Sequence, residues 1–526
     1  MTEPYGSWPS PLSAAQVAEG GTGLSGPAVR PDAEGRTEVW WAELRPSEGG
    51  RSVLVRRRSG GEPVEMLAAP WSARPRVHEY GGGAWFLGKT AVYFSNWDDQ
   101  RLYRFDDAHP EPEPITPEPD LRHGVRYADG VESPDGRWVI AVQETHPMLG
   151  EATNEIVALP ADGSEPPRVI VSGTDFVMAP RISPDGRWLS WIRWNHPDMP
   201  WDSTELCAAP LFDGFRLGNT QVVAGGPSES VHGANWASDE RLVFSTDSTG
   251  WWNLSMWRPG EQKPTPLTTL VGSEIGSPPW VFGVQQWAEL PDGRLLAVET
   301  TRGADRFVVV GNEGGAQPLG TPYVSVGGLV VSHLGELIAV AQTKIDLPAV
   351  VEIAPGGQTF VHRPSDELGI DPRWYSIAEP IEFPTAEGRT AHAFFYAPTG
   401  PDRWAPSNGD AAEKPPLVVI GHGGPTAHSA PVLNLKIQYW TSRGFAVVDV
   451  NYGGSTGHGR DYRRLLDRAW GIVDVQDCIA AATWLAAAGT VDPQRMAIRG
   501  GSAGGFTVLA CLTSSRGFAA GTSLYG

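Results

Sequence analysis

Between residues 38 and 355, apolar and polar positions alternate over short runs, and each run follows a turn. Ser133-Pro134-Asp135-Gly136-Arg137-Trp138 precedes the apolar run 139–142, and Ser183-Pro184-Asp185-Gly186-Arg187-Trp188 precedes the run 189–192. Weaker copies stand at 237–241, 291–294 and 333–336, each before another apolar run, and segments 39–55 and 85–105 keep the same rhythm. Alternation with period two, bounded by Asp-Gly turns, predicts short antiparallel strands joined by hairpins. A unit of roughly 40 to 55 residues with about four such strands is a propeller blade, and the copies number about seven. A pair of β-sandwiches is the alternative, and the regular period favours the propeller.

Beyond about residue 370 this rhythm ends. Residues 380–383 and 390–396 predict a strand pair around the turn 386–388. A polar, Pro-rich segment at 398–416 leads to Leu417-Val418-Val419-Ile420, a continuous apolar run suited to a buried strand, and 445–450 is another. Helices are predicted at about 461–469 and 473–488, the second with Val475, Cys478, Ile479, Ala482 and Leu485 on one face. Strands alternating with helices predict an α/β domain with a largely parallel sheet. The chain therefore divides into an N-terminal segment (1–37), an all-β propeller (38–365) and an α/β domain (366–526).

Composition agrees with this picture. At 526 residues, 40% hydrophobic and 19% charged, the chain is a multidomain globular protein. Its net charge of −20 argues against a nucleic-acid surface. Three cysteines, widely spaced, suggest neither a disulfide framework nor a metal site. No signal peptide and no run of about 18 apolar residues is read, so a cytoplasmic protein without a membrane partner is expected.

The chemistry lies near the C-terminus. Gly500-Gly501-Ser502-Ala503-Gly504-Gly505 reads G-x-S-x-G, with an apolar strand before it and an apolar helical pattern after it. That is the setting of a nucleophile elbow, in which a sharp strand-to-helix turn lifts a serine hydroxyl above an α/β-hydrolase sheet. Acyl transfer also needs oxyanion donors. The N–H of Ala503 is one; His422-Gly423-Gly424-Pro425, just past a predicted strand, offers the other, with Gly424 preferred and Gly423 second. His422 precedes the serine, against the usual Ser, Asp, His order of this fold, and is read as orienting or lining the loop rather than as the base. His422, His428 and His458 lack metal-ligand spacing, and no metal or cofactor is expected. The run 453–459 lacks the Gly-Lys-Ser/Thr ending of a phosphate cradle and is read as a tight structural loop. Asp474 and Asp477, at the start of a helix, are read as structural.

Over nearly its whole length the chain resembles the prolyl oligopeptidase family of serine peptidases, in its acylaminoacyl-peptidase or dipeptidyl-aminopeptidase-like branch. Tyr5-Gly6-Ser7-Trp8-Pro9-Ser10-Pro11, His78-Glu79-Tyr80-Gly81-Gly82-Gly83, the run 194–202 and Thr249-Gly250-Trp251-Trp252-Asn253-Leu254 carry the resemblance, together with 422–425, 451–457, Trp470-Gly471 and 500–505. It implies a seven-bladed propeller capping an α/β-hydrolase domain, with the N-terminal segment against the hydrolase. It also implies cleavage of short peptides, the propeller excluding folded proteins. Ser502 is then the nucleophile, Gly424 and Ala503 the oxyanion donors, and His422 stands where related branches carry an oxyanion-stabilising tyrosine. The resemblance places the triad Asp and His past Gly526, so the hydrolase domain is expected to be incomplete at its C-terminus and this chain nearly inactive. No Glu-Glu pair of the kind that clamps an N-terminal amine in dipeptidyl peptidases is found, which weighs against strict dipeptidyl activity. Two other readings stay open: a carboxylesterase-type hydrolase, and a non-catalytic propeller or pseudo-hydrolase that binds. Exposed blade edges leave room for a homo-oligomer, and no residue marks one.

Overall fold

The computed structural model describes residues 3–311, 315–401, 407–408 and 411–526. Part of the Pro-rich segment 398–416 thus lies outside the described residues. Seven antiparallel sheets follow one another from Gly23 to Arg363, six of four strands and one of five. The Asp-Gly turns form as expected. In the first, Gly136 takes φ 73°, the Ser133 hydroxyl donates to Asp135 (2.6 Å) and accepts from the Trp138 N–H (3.0 Å). The second repeats this at Ser183, Asp185 and Trp188. Serine and aspartate side chains thereby satisfy donors that the tight turn would leave unpaired.

The boundary expected at residue 38 falls inside the first blade. Gly23–Pro31 is its first strand, paired to Thr37–Arg45, which pairs in turn to Arg51–Arg58. Only the earlier part of the N-terminal segment lies against the hydrolase domain. There Trp8 is buried, and the Arg443 guanidinium donates to the Leu12 carbonyl (2.9 Å). A Cβ on Gly444 would meet Gly6 N at 2.8 Å and the Trp8 ring at 3.1 Å. The ring of blades closes without a shared strand. Val39, Trp41, Val53 and Val55 of the first sheet pack on Ile338, Val340 and Val350 of the last. Thr37 hydrogen-bonds Glu336 (2.5 Å) across the same seam.

The α/β domain has one six-stranded sheet, in the spatial order Glu379–Pro384, Thr390–Tyr396, Ala446–Asn451, Leu417–Gly421, Met496–Gly501, Ala520–Leu524. The first two strands run antiparallel and the last four parallel. Val473–Ala487 and Ala503–Ser514 are its long helices. The helix expected at 461–469 is shorter, Gly459–Arg463 with a 3₁₀ turn to Leu466, because Asp467 leaves helical angles and Arg468 takes φ 57°. No described helix is long and apolar enough to cross a membrane.

The propeller and the hydrolase meet through buried charge. Arg463 of the hydrolase reaches Asp247 of the propeller at 2.5 Å, both side chains nearly inaccessible to water. Asp247 also accepts from Ser230 N (2.7 Å) and lies 3.3 Å from Arg460, while Arg463 stacks 4.2 Å over Trp252. Beside them Glu274 accepts from Gly457 N (2.7 Å), and loss of solvent pushes its carboxyl up to about 7. The loop 453–459 is thus an interdomain contact. A Cβ on Gly457 would stand 3.2 Å from Gly303 N, and one on Gly459 3.0 Å from Gly250 O and Trp251.

Removing one partner of a buried ion pair leaves the other uncompensated. Arg463→Ala should therefore destabilise the protein by about 3–5 kcal/mol, read by denaturant unfolding; an unchanged midpoint would contradict this. Glu274 binds its proton more tightly folded than unfolded, where the ordinary value is 4.5. The stability this confers is complete below 4.5 and is lost as pH rises through about 7. Glu274→Gln should flatten the fall in thermal midpoint between about pH 5 and 8, and parallel native and variant curves would refute that assignment.

Candidate active site

Strand Met496–Gly501 delivers the chain to Ser502, which takes φ 54° and ψ −125° and caps the helix Ala503–Ser514. A non-glycine residue in this region is strained and is held there by its surroundings. The surroundings are tight. A Cβ on Gly500 would meet Gly504 O at 2.4 Å and Gly421 O at 2.8 Å, and one on Gly504 would meet Gly421 O at 2.1 Å. The glycines let the helix start pass directly over the end of the neighbouring strand. The Ser502 N–H is tied to Leu524 O (2.9 Å), so the turn is fixed from both sides. Its hydroxyl is exposed and makes no hydrogen bond among the described residues.

Two backbone segments lie beside this turn. Ala503, first residue of the helix, has an N–H outside the intrahelical ladder. The loop after strand Leu417–Gly421 brings Gly423 alongside, where an added Cβ would lie 3.6 Å from the Ser502 Cβ. Gly424 takes φ 125°, a conformation open to glycine. Its N–H has no partner among the described residues.

His422 holds this loop. Its Nδ1 lies 2.8 Å from the Gly423 carbonyl, and since a carbonyl only accepts, Nδ1 carries the proton. Nε2 lies within hydrogen-bond distance of the Ser455 hydroxyl (2.8 Å). The ring stacks on Tyr452 at 4.2 Å, and the Tyr452 hydroxyl donates to the His422 carbonyl (2.8 Å). Burial pushes the imidazole down to about 4, so it is neutral at pH 7. Both nitrogens are engaged, by Gly423 and by Ser455 of the 453–459 loop, and neither hydrogen-bonds Ser502. His428 is likewise held by Thr456 (2.8 Å) and His458 stacks on His392, so the three histidines form no metal cluster among the described residues. Asp474 and Asp477 bind more than their own helix end. Asp474 accepts from Gly471 N (2.7 Å) and from the Thr507 hydroxyl of the Ser502 helix; Asp477 accepts from Gly453 N (2.8 Å) and pairs with Arg389.

Three segments far apart in the chain converge on the propeller face opposite this loop. Residues 78–81, 194–201 and 279–282 line a cavity of about 360 Å³. Gly81, Gly82 and Gly83 press the first segment against the last, where a Cβ on Gly82 would stand 2.5 Å from Phe282 N. Trp280 forms a wall of the cavity and donates to the Thr426 carbonyl (2.7 Å), two residues past Gly424. Sequence reasoning quoted the first two segments without recognising a pocket and missed 279–282. Its signal was the concentration of aromatic and acidic residues in loops.

The prolyl oligopeptidase family model matches residues 431–526. The solved structure of a Mycobacterium tuberculosis puromycin-hydrolysing peptidase is 40% identical with a TM-score of 0.93, covering 99% of this chain and 80% of that one. A puromycin hydrolase structure is 38% identical with a TM-score of 0.91, covering 100% and 80%. Dipeptidyl aminopeptidase BIII of Pseudoxanthomonas mexicana is 33% identical over 156 residues, 30% of this chain. That match spans 22% of the length of the curated relative.

Gly504→Ala places a methyl group against the Gly421 and His422 carbonyls and should cost about 1–3 kcal/mol. Gly311→Ala, with nothing within 4 Å of the added atom, is the control. Equal thermal midpoints for the two variants would show that the close approach at the turn is not required.

Proposed function

The chain belongs to the prolyl oligopeptidase family, and on that premise we propose that the protein hydrolyses short peptides and aminoacyl amides through an acyl-enzyme on Ser502. The N–H groups of Ala503 and Gly424 hold the oxyanion, and the propeller restricts access to short chains. The single observation that carries this reading is the Ser502 turn itself. A serine in a strained conformation, exposed at a helix start, stands beside a glycine loop with an unpaired N–H. The names of the puromycin-hydrolysing relatives support extending the substrates from peptides to aminoacyl amides.

The base is a separate part of the proposal. None of the chain's twelve histidines hydrogen-bonds Ser502, and His422 and His428 are engaged elsewhere. We infer that an imidazole from outside the described residues takes the serine proton, oriented by a carboxylate, and returns it to the leaving amine. Without that group the 526 residues retain only oxyanion and binding effects and turn over slowly. Three cysteines, all free and buried, favour a cytoplasmic setting.

Hydrolysis of peptide and aminoacyl p-nitroanilides and of the corresponding esters tests this, using the 526 residues beside any longer form of the protein. Where turnover is found, Ser502→Ala should lower kcat by about 10³-fold or more with KM little changed. Turnover that survives Ser502→Ala, or an ester-only profile, would overturn the peptidase reading. Robust peptide hydrolysis by the 526 residues alone would overturn the external base.

A further inference from the structure

We propose that Trp280 of the propeller is a positioning residue for the hydrolysis: its indole N–H holds the loop 422–427 so that the Gly424 N–H stands ready beside Ser502. The inference rests on the peptidase reading above and adds to it a residue from the other domain.

Three carbonyls in a row carry the argument. The Pro425 carbonyl accepts from the Ala427 N–H (2.9 Å), a bond within the loop. The Ala427 carbonyl accepts from the Thr456 N–H (2.9 Å) of the 453–459 loop. Between them the Thr426 carbonyl accepts from the Trp280 indole (2.7 Å), 146 residues earlier in the chain. No other donor reaches that carbonyl among the described residues. Thr426 is buried, and a buried carbonyl left without a donor is costly. The turn carries this hold to Gly424. A Cβ there would stand 2.9 Å from Thr426 N and 3.2 Å from the Ala427 Cβ, so Gly424 is packed against the residues whose carbonyls are held. Its own N–H has no partner among the described residues, so its direction is set by these neighbours.

The donor is fixed in its turn. The Trp280 backbone N–H donates to the Pro278 carbonyl (2.9 Å), and the ring lies 4.3 Å from Trp201 and 5.4 Å from Tyr80. The Trp201 carbonyl accepts from Arg463 (3.4 Å), the hydrolase side of the buried ion pair. An indole braced by two neighbouring rings presents its N–H in one direction. A second propeller contact limits the far end of the loop, where a Cβ on Gly303 would stand 2.8 Å from the Ser429 carbonyl. The propeller thus meets the loop at 426 and again at 429. An oxyanion donor is effective only where it is held in place before the reaction, and a small misplacement lowers the rate without weakening the bound substrate.

Trp280→Phe keeps a ring in place and removes the donor. Trp138→Phe is the control, since that half-buried propeller indole packs against Phe215 (4.9 Å) and bonds nothing in the loop. Hydrogen exchange by mass spectrometry on the 526 residues needs no turnover. Segments 423–429 and 453–457 should exchange about fivefold or more faster in Trp280→Phe, and as in the parent in Trp138→Phe. In a form with Ser502-dependent turnover, Trp280→Phe should lower kcat by about tenfold or more and leave KM within about twofold. It should weaken a peptidyl aldehyde, which forms a tetrahedral adduct on serine, by about the same factor and leave the matching peptide amide unchanged. A purely structural role would speed exchange without that split. Unchanged exchange in the loop, an unchanged kcat, or equal losses for aldehyde and amide would overturn the proposal. Faster exchange without Ser502-dependent hydrolysis in any form would overturn the peptidase reading, and with it the catalytic use of the contact, while the hold of Trp280 on the loop would stand.

Discussion

The contact between Asp247 and Arg463 is the constraint on which the rest of the structure depends. Ser502 lies in one domain and the aromatic cavity in the other, so their alignment is only as firm as the surface joining them. Burying two charges is costly, and the arrangement meets that cost with added partners: Ser230 N and Arg460 on Asp247, and the Trp252 ring under the Arg463 guanidinium. The Arg463 Nε and Nη1 atoms are buried without partners, so the pair is a demanding one. A contact of this kind tolerates few alternative geometries, because any slip exposes an uncompensated charge to a low-dielectric interior. Specific placement rather than net stability is what such a pair provides here.

Within the hydrolase domain the controlling constraint is steric. Gly421, Gly500 and Gly504 meet where the end of one strand, the end of its neighbour and the first turn of a helix share the same space. That crowding holds Ser502 at φ 54° and exposes its hydroxyl. Asp474 and Asp477 extend the same construction sideways. Their carboxylates tie the long helix Val473–Ala487 to the Ser502 helix and to the loop at Gly453, so the two loops around the serine are braced from beneath. His422, neutral and doubly engaged, braces the loop 422–425 in the same way.

Much of this was legible in the sequence, for identifiable reasons. Asp-Gly turns with alternating strands are local signals, and they located the blades; G-x-S-x-G between a strand and a helix located Ser502. Gly23–Pro31 escaped because its alternation is broken. It contains Gly26-Pro27, and its pairing to Thr37–Arg45 shifts register between Ser25 and Ala28. Arg463 and Asp247 escaped because a lone charge in a loop or short helix looks the same whether solvated or buried. The cavity escaped because most of its residues sit in connections between strands, where no periodicity marks which side chains share a wall.

That last point bears on how the two domains divide the work. The turn at Ser502 admits almost no variation, since a single methyl group at Gly504 collides with two carbonyls. The cavity walls are carried largely by loops at 78–81, 146–152, 195–201 and 279–282, with Glu144, Phe176, Met178 and Trp194 added from the ends of blade strands. Such loops can change residue by residue while the sheets beneath them keep their register. Close packing therefore fixes the Ser502 turn in one domain, while the cavity walls in the other are free to vary. The glycine run 81–83 is the exception within the propeller. It joins the first wall segment to Phe282 by backbone contact and sets Tyr80 against Trp280. Trp280 is itself hydrogen-bonded to the Thr426 carbonyl, two residues past Gly424, so the cavity wall and the loop beside Ser502 are in direct contact.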